Sequence, residues 1–134
     1  MANALYPKWK EQLLQFTTNN NLSAGTVKVA LIDTGTYTYS SANQFWSSAS
    51  AASVGTPQTL GTKTFTNGTF DAADVTFTAV TGASVEALII YIDTGVAGTS
   101  PLVAYIDTSV TGLPVTPNGG DITITWNGSG IFTL

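Results

Sequence analysis

A chain of 134 residues suffices for one domain that buries roughly two thirds of the surface its unfolded form exposes, so folding requires neither metal nor crosslink. Only 9% of the residues are charged, against about 25% in an average soluble protein, and the exposed surface must be built mostly from Thr, Ser, Asn and Gly. The net charge is −4, His, Cys and Arg are absent, and the lysines are scattered, which argues against a phosphate-reading surface, a polybasic membrane patch, disulfides and thiolate metal sites.

The first predicted element is a helix over Leu5 to Phe16, where Leu5, Trp9, Leu13 and Phe16 recur at steps of four, four and three. Pro7 suits a first helical turn, and Thr17 to Asn21 followed by Gly25 ends the pattern. This short amphipathic segment, residues 1–20, is expected to pack over a β domain formed by residues 26–134, the whole being one domain. Docking of the same stripe, which includes Trp9, on a neighbouring protein is the alternative use.

From Thr26 the period changes to two, with Val27, Val29 and Leu31 alternating with Lys28, Ala30 and Ile32. Further strands are expected at Lys63 to Thr66, Asp74 to Val80, Val85 to Ile92, Leu102 to Ile106, Asp121 to Trp126 and Gly130 to Leu134. Val85 to Ile92 is apolar on both faces and should be central. Ser40 to Thr59 reads as irregular, with Phe45 and Trp46 on a loop or short turn. Thr108 to Gly120 reads as a loop because Pro114 and Pro117 would forfeit ladder bonds. The expected fold is therefore mainly β, an antiparallel β-sandwich or barrel-like domain with one N-terminal helix. Its core should hold Val29, Leu31, Phe77, Leu88, Ile90, Ile106, Ile122, Ile124 and Trp126.

Three strand ends share one signature, in Leu31-Ile32-Asp33-Thr34, Tyr91-Ile92-Asp93-Thr94 and Tyr105-Ile106-Asp107-Thr108. Asp and Thr side chains bond backbone amides one or two residues on, so each pair ends a strand and opens a turn. A cation shared by the three carboxylates is disfavoured, because a calcium loop gathers its ligands within about a dozen residues. Asp71 and Asp74 are the nearest carboxylate pair and are read as turn formers rather than a glycosidase pair. Without His, Cys or Arg no serine triad, thiolate nucleophile or guanidinium clamp can be assembled, and no enzyme activity and no cofactor are expected. No apolar run reaches the length of a membrane span, and no basic segment followed by an apolar one opens the chain, so a soluble protein made in the cytoplasm is expected.

The order of motifs is more specific than any one of them. Ala4-Leu5-Tyr6, Val27 to Thr34, Phe70-Asp71-Ala72-Ala73-Asp74-Val75-Thr76-Phe77, Glu86 to Tyr91, the long Gly112-Leu113-Pro114-Val115-Thr116-Pro117-Asn118-Gly119-Gly120-Asp121 stretch and the ending Trp126 to Leu134 together resemble a family of small virion proteins of tailed bacteriophages. Ser47 to Pro57 is poorer in charge than that pattern. The resemblance implies a capsid cement or decoration protein on the outer surface of the virion, made in the bacterial host. Its partners would be the major capsid protein, copies of itself, or both, in a large symmetric assembly, without nucleic acid or membrane. A tail, baseplate or fibre-associated subunit is the second reading, and a free carbohydrate-binding module using Trp46 or another exposed aromatic the third. Trp9, Phe45, Trp46, Leu113, Pro114 and Pro117 are the candidate protein contacts.

Overall fold

The computed structural model describes residues 3–134. In chain order its elements are β1 (Ala4–Leu5), α1 (Pro7–Gln15), β2 (Thr26–Ile32), β3 (Ser53–Thr59), β4 (Thr69–Phe70), β5 (Val75–Phe77), β6 (Ala87–Asp93), β7 (Leu102–Ile106), β8 (Ile122–Ile124) and β9 (Phe132–Thr133). One antiparallel sheet runs β1-β7-β6-β2-β3, and two antiparallel ribbons, β4-β9 and β5-β8, complete a mainly β, sandwich-like fold without barrel closure. The run Val85 to Ile92 supplies the middle strand, as its two apolar faces require.

Buried apolar side chains from the sheet and both ribbons form one cluster, and all nine expected core residues belong to it. In β2, however, burial does not alternate: Ala30 and Ile32 are as buried as Val29 and Leu31. Cross-strand register places Ala30 and Ile32 on the face shared with Ile89 and Tyr105. That face is covered by aromatic side chains of the following segment, with Tyr37 and Tyr39 against Tyr105 and Trp46 against Tyr91.

Three predicted elements need correction. Leu5 belongs to a strand, because Ala4 and Leu5 pair with Tyr105 and Ala104, and the Tyr6 amide bonds the Val103 carbonyl at 2.9 Å. The helix therefore starts only at Pro7, with the fixed φ of proline at the position that favours it. Within Ser40 to Thr59, Ser53–Thr59 is a strand rather than loop. It escapes a periodicity reading because it is an edge strand bent by Gly55 at φ 71°, with a register shift against Val29 and Leu31, and Pro57 is tolerated only on such an edge. Lys63 to Thr66 forms no strand; it contributes one bridge, Thr64 to Asp71, before a 3-10 turn over Thr66–Gly68.

The Thr108 to Gly120 segment is a loop, but a tied one. Val85 and Val115 exchange two backbone bonds of 2.8 and 3.0 Å, and Thr111 and Thr125 exchange two of 3.0 Å. The Gly119 amide bonds the Val80 carbonyl at 2.8 Å, and Leu113-Pro114 is a cis peptide. At Gly112, φ is 119° and an added Cβ would sit 2.6 Å from the Thr123 carbonyl oxygen, so only glycine fits.

Candidate functional site: an apolar groove beside the helix

Helix α1 ends when Phe16 adopts a left-handed backbone, φ 56° and ψ 41°, while the Phe16 and Thr17 amides bond the carbonyls of Leu13 and Gln12. Gly or Asn normally fills such a position, since a Cβ there costs about 1 kcal/mol. The turn throws the ring outward, and Phe16 is 96% exposed. Neither backbone preference nor burial accounts for a phenylalanine here.

Beyond Phe16 the chain doubles back through Thr17 to Gly25. Asn21 Oδ1 accepts from the Ser23 and Ala24 amides, and Lys63 Nζ donates to the carbonyls of Leu22, Ser23 and Gly25 at 2.6, 3.3 and 2.8 Å. This loop and α1 form one wall of a groove of about 700 Å³, and β4, β9 and the turn between Phe65 and Gly68 form the other. Trp9, Leu13, Phe16, Phe65, Phe70 and Phe132 line it, and no lining side chain is charged. Trp9 meets Phe132 edge-on with centroids 5.9 Å apart, and Phe70 packs between Phe65 and Phe132. Phe65 and Leu134 stand exposed at the rim with Phe16.

Two buried polar atoms on groove-lining residues have no partner: Trp9 Nε1, a donor, and Asn20 Oδ1, an acceptor. A flip of the Asn20 amide does not cure this, because its nitrogen already donates to the Thr17 and Thr18 carbonyls and the Thr17 hydroxyl, two of which only accept. Each orphan costs about 1–3 kcal/mol relative to a paired group.

The six candidate contact residues are scattered. Trp9 lines the groove, but at 2% exposure it is a core residue and presents no free face. Trp46 is a correction: it is 8% exposed, stacked on Tyr91, and its amide bonds the Ser100 carbonyl, so it offers no platform to a protein or a sugar. Phe45 is half-buried and bridged to Pro101. Leu113 and Pro117 are half-buried in the tied loop, and Pro114 alone of the six is exposed.

The acidic residues act on backbone geometry. Asp33 and Asp93 each accept the amide of the glycine two residues on, at 2.8 and 2.9 Å, and Asp93 also pairs with Lys28 across β2 and β6 at 2.9 Å. At the third signature the order is reversed: Asn3 Oδ1 accepts the Asp107 and Thr108 amides, tying the start of the chain to the end of β7. Asp74 and Asp121 accept the amides of Trp126 and Ala79, at the two ends of the β5-β8 ribbon. Among the described residues no group of three His, Cys, Asp or Glu could hold a metal ion, and no helix is long and apolar enough to cross a membrane.

The Gly95 amide and the Lys28 ammonium hold the Asp93 carboxyl below the usual carboxylate range, outweighing partial desolvation. Desolvation pushes Glu86 upward, but hydrogen bonds from the Ser84 hydroxyl and from the hydroxyl and amide of Thr34 outweigh it, and the net shift is downward. Burial raises the phenols of Tyr6, Tyr37 and Tyr105, and raises Tyr91 to about 12, so none ionises near neutrality.

The groove was not legible in advance. Phe16 completes a helical stripe on paper, Phe65 sits in an alternating run, and nothing marks Asn20 as buried. The one usable signal was Phe16 followed at once by Thr17-Thr18-Asn19-Asn20-Asn21, a helix end with its last apolar residue on the wrong side of the stop. No protein-family model matches the chain, and no curated protein matches it in sequence.

Proposed function

We propose that this protein is a non-enzymatic structural subunit of a tailed bacteriophage particle, acting as a cement or decoration protein that binds the assembled major capsid protein on the outer capsid surface. The observation that carries the reading is the uncharged apolar groove, framed by exposed Phe16, Phe65 and Leu134, on a chain without His, Cys or Arg. Phe16, Phe65 and Leu134 line the same groove and are all exposed, an arrangement different from apolar side chains scattered singly over a surface.

A stable contact needs roughly 1,000 Å² in total, so the groove serves as the centre of a wider, polar, Thr-rich footprint. Repetition over a lattice then turns modest single contacts into retention by avidity. Binding to the assembled shell stabilises it by mass action, and no reactive group is required. The charge of −4 favours the outside of a shell over its DNA-filled interior. The order of motifs from Ala4-Leu5-Tyr6 to Gly112 through Asp121, which resembles that of small phage virion proteins, supports the same role.

The test is co-sedimentation of the purified chain with empty capsids, followed by densitometry of intact virions. Saturable binding to shells and a band rivalling the major capsid protein are expected. A scarce band confined to tails moves the protein to the tail or baseplate. No binding to either part of the particle defeats the virion reading.

A further inference from the structure

The loop from Asn21 to Gly25 is polarised across its own peptide planes. Asn21 Oδ1 accepts the Ser23 amide at 2.9 Å and the Ala24 amide at 3.1 Å, so two consecutive N–H groups point at one carboxamide oxygen. In a trans peptide the carbonyl opposes the N–H, and the Leu22 and Ser23 carbonyls are therefore turned the other way. There, together with the Gly25 carbonyl, they converge on one point at 2.6, 3.3 and 2.8 Å, where the Lys63 ammonium sits. The turn is tight enough that a Cβ added at Gly25 would stand 2.7 Å from the Asn21 carbonyl oxygen.

Three carbonyl oxygens gathered on one point make a cation cup, since backbone carbonyls can replace the water shell of a potassium ion. An ammonium group is close to potassium in size, and its three N–H bonds match three acceptors. Sodium is smaller and takes its oxygens at shorter distances than a cup spaced for ammonium offers. Residues 17–25 carry no charge, and among the described residues the ion pairs are Lys8 with Glu11 and Lys28 with Asp93. The Lys63 charge is thus met by carbonyl dipoles, not by a carboxylate. Lys63 is half-buried and Ser23 is exposed, so the cup is open to solvent on one side.

We propose that the Asn21 to Gly25 loop is a binding site for a monovalent cation of ammonium or potassium size, and that Lys63 fills it in this chain as a tethered ligand. The tether fastens the loop wall of the groove to the segment that leads into β4. Asn21 builds the cup by orienting the carbonyls, and Lys63 occupies it. The two roles are separable, because the cup survives without its lysine. None of this depends on what the groove binds or on the phage reading.

The test uses the full chain and its Lys63→Ala variant, with hydrogen exchange at the Gly25 amide followed in ammonium, potassium, sodium and choline chloride at matched ionic strength. Emptying the cup should accelerate that exchange about tenfold, and ammonium or potassium should restore most of the protection while sodium and choline do not. The parent, already filled, should exchange at one rate in all four salts. Adding Asn21→Ala to the variant should abolish the rescue. The proposal is overturned if no cation restores protection, if sodium or choline does so as well as potassium, if rescue survives Asn21→Ala, or if the parent responds as the variant does. A measurement on the parent alone covers a variant that does not fold. Trace acetylation should modify exposed Lys10 about tenfold faster than Lys63, whose amine must leave three carbonyls to react. Equal rates at the two lysines would remove Lys63 as the ligand of the cup.

Discussion

Trp46 lies flat on Tyr91, ring centroids 4.3 Å apart and planes within 5°. The pair closes the aromatic cover over one face of the central sheet, and backbone bonds from residues 44–46 to residues 100–102 hold the indole in place. Trp46→Ala should cost about 3–5 kcal/mol in urea denaturation, as expected for loss of a packed indole. Capsid attachment per folded molecule should not change, and a selective loss of attachment at unchanged stability would return Trp46 to the list of contacts.

The Tyr6 and Tyr37 hydroxyls are 2.8 Å apart, and Tyr37 donates to Asn43 Oδ1 at 2.8 Å. Since the Tyr37 proton is committed to Asn43, Tyr6 must be the donor to Tyr37. Tyr6→Phe then removes one bond and should cost about 1 kcal/mol. Tyr37→Phe strands a fully buried Tyr6 hydroxyl and should cost more, about 2–3 kcal/mol. Equal losses in thermal denaturation would mean the chain runs the other way.

Phe16→Gly should stabilise the protein by about 0.5–1 kcal/mol, because the left-handed cap suits glycine and the exposed ring contributes almost no burial. The urea midpoint should rise with an unchanged slope. A drop would show that the ring packs against the protein in solution.

Lys63→Met keeps the aliphatic stem but removes the ammonium from three carbonyls of the groove wall. A loss of about 1–3 kcal/mol is expected. Hydrogen exchange at the Gly25 amide, which bonds the Asn21 carbonyl at 2.8 Å, should accelerate before that of β6.

Asp93 and Glu86 titrate lower in the folded chain than in the unfolded one. Their stabilisation is therefore complete above the unfolded carboxylate range, about pH 4–4.5, and is lost as pH falls through the folded values. Asp93→Asn should be less stable than the parent at pH 7, with the gap closing near pH 2. A gap that persists at acid pH would mean the Gly95 turn, not the charge, carries the effect.

Much of the sheet could be read in one dimension because burial on two faces leaves a mark in every residue. Val85 to Ile92 had to be central, and Ile122, Ile124 and Trp126 had to face inward. Edge strand β3 left no such mark, since Ser53, Val54, Gln58 and Thr59 pair with β2 on either side of an irregular Gly55-Thr56-Pro57 stretch, and side-chain alternation does not run through it. Leu5 joined the sheet for a similar reason: pairing with Ala104 outweighed its place in the helical stripe.

Composition and periodicity were enough to establish a charge-poor, mainly β chain with one short helix and without the side chains that common catalytic machinery uses, because those properties depend on which residues are present and how they alternate. The groove depended on the folded chain. Phe16 is thrown outward by its left-handed backbone, and the second wall of the groove is built by Phe65, Phe70 and Phe132, more than forty residues further along the chain. The helix end left a local trace in the sequence, whereas the groove arises from the meeting of distant surfaces, which local sequence does not encode.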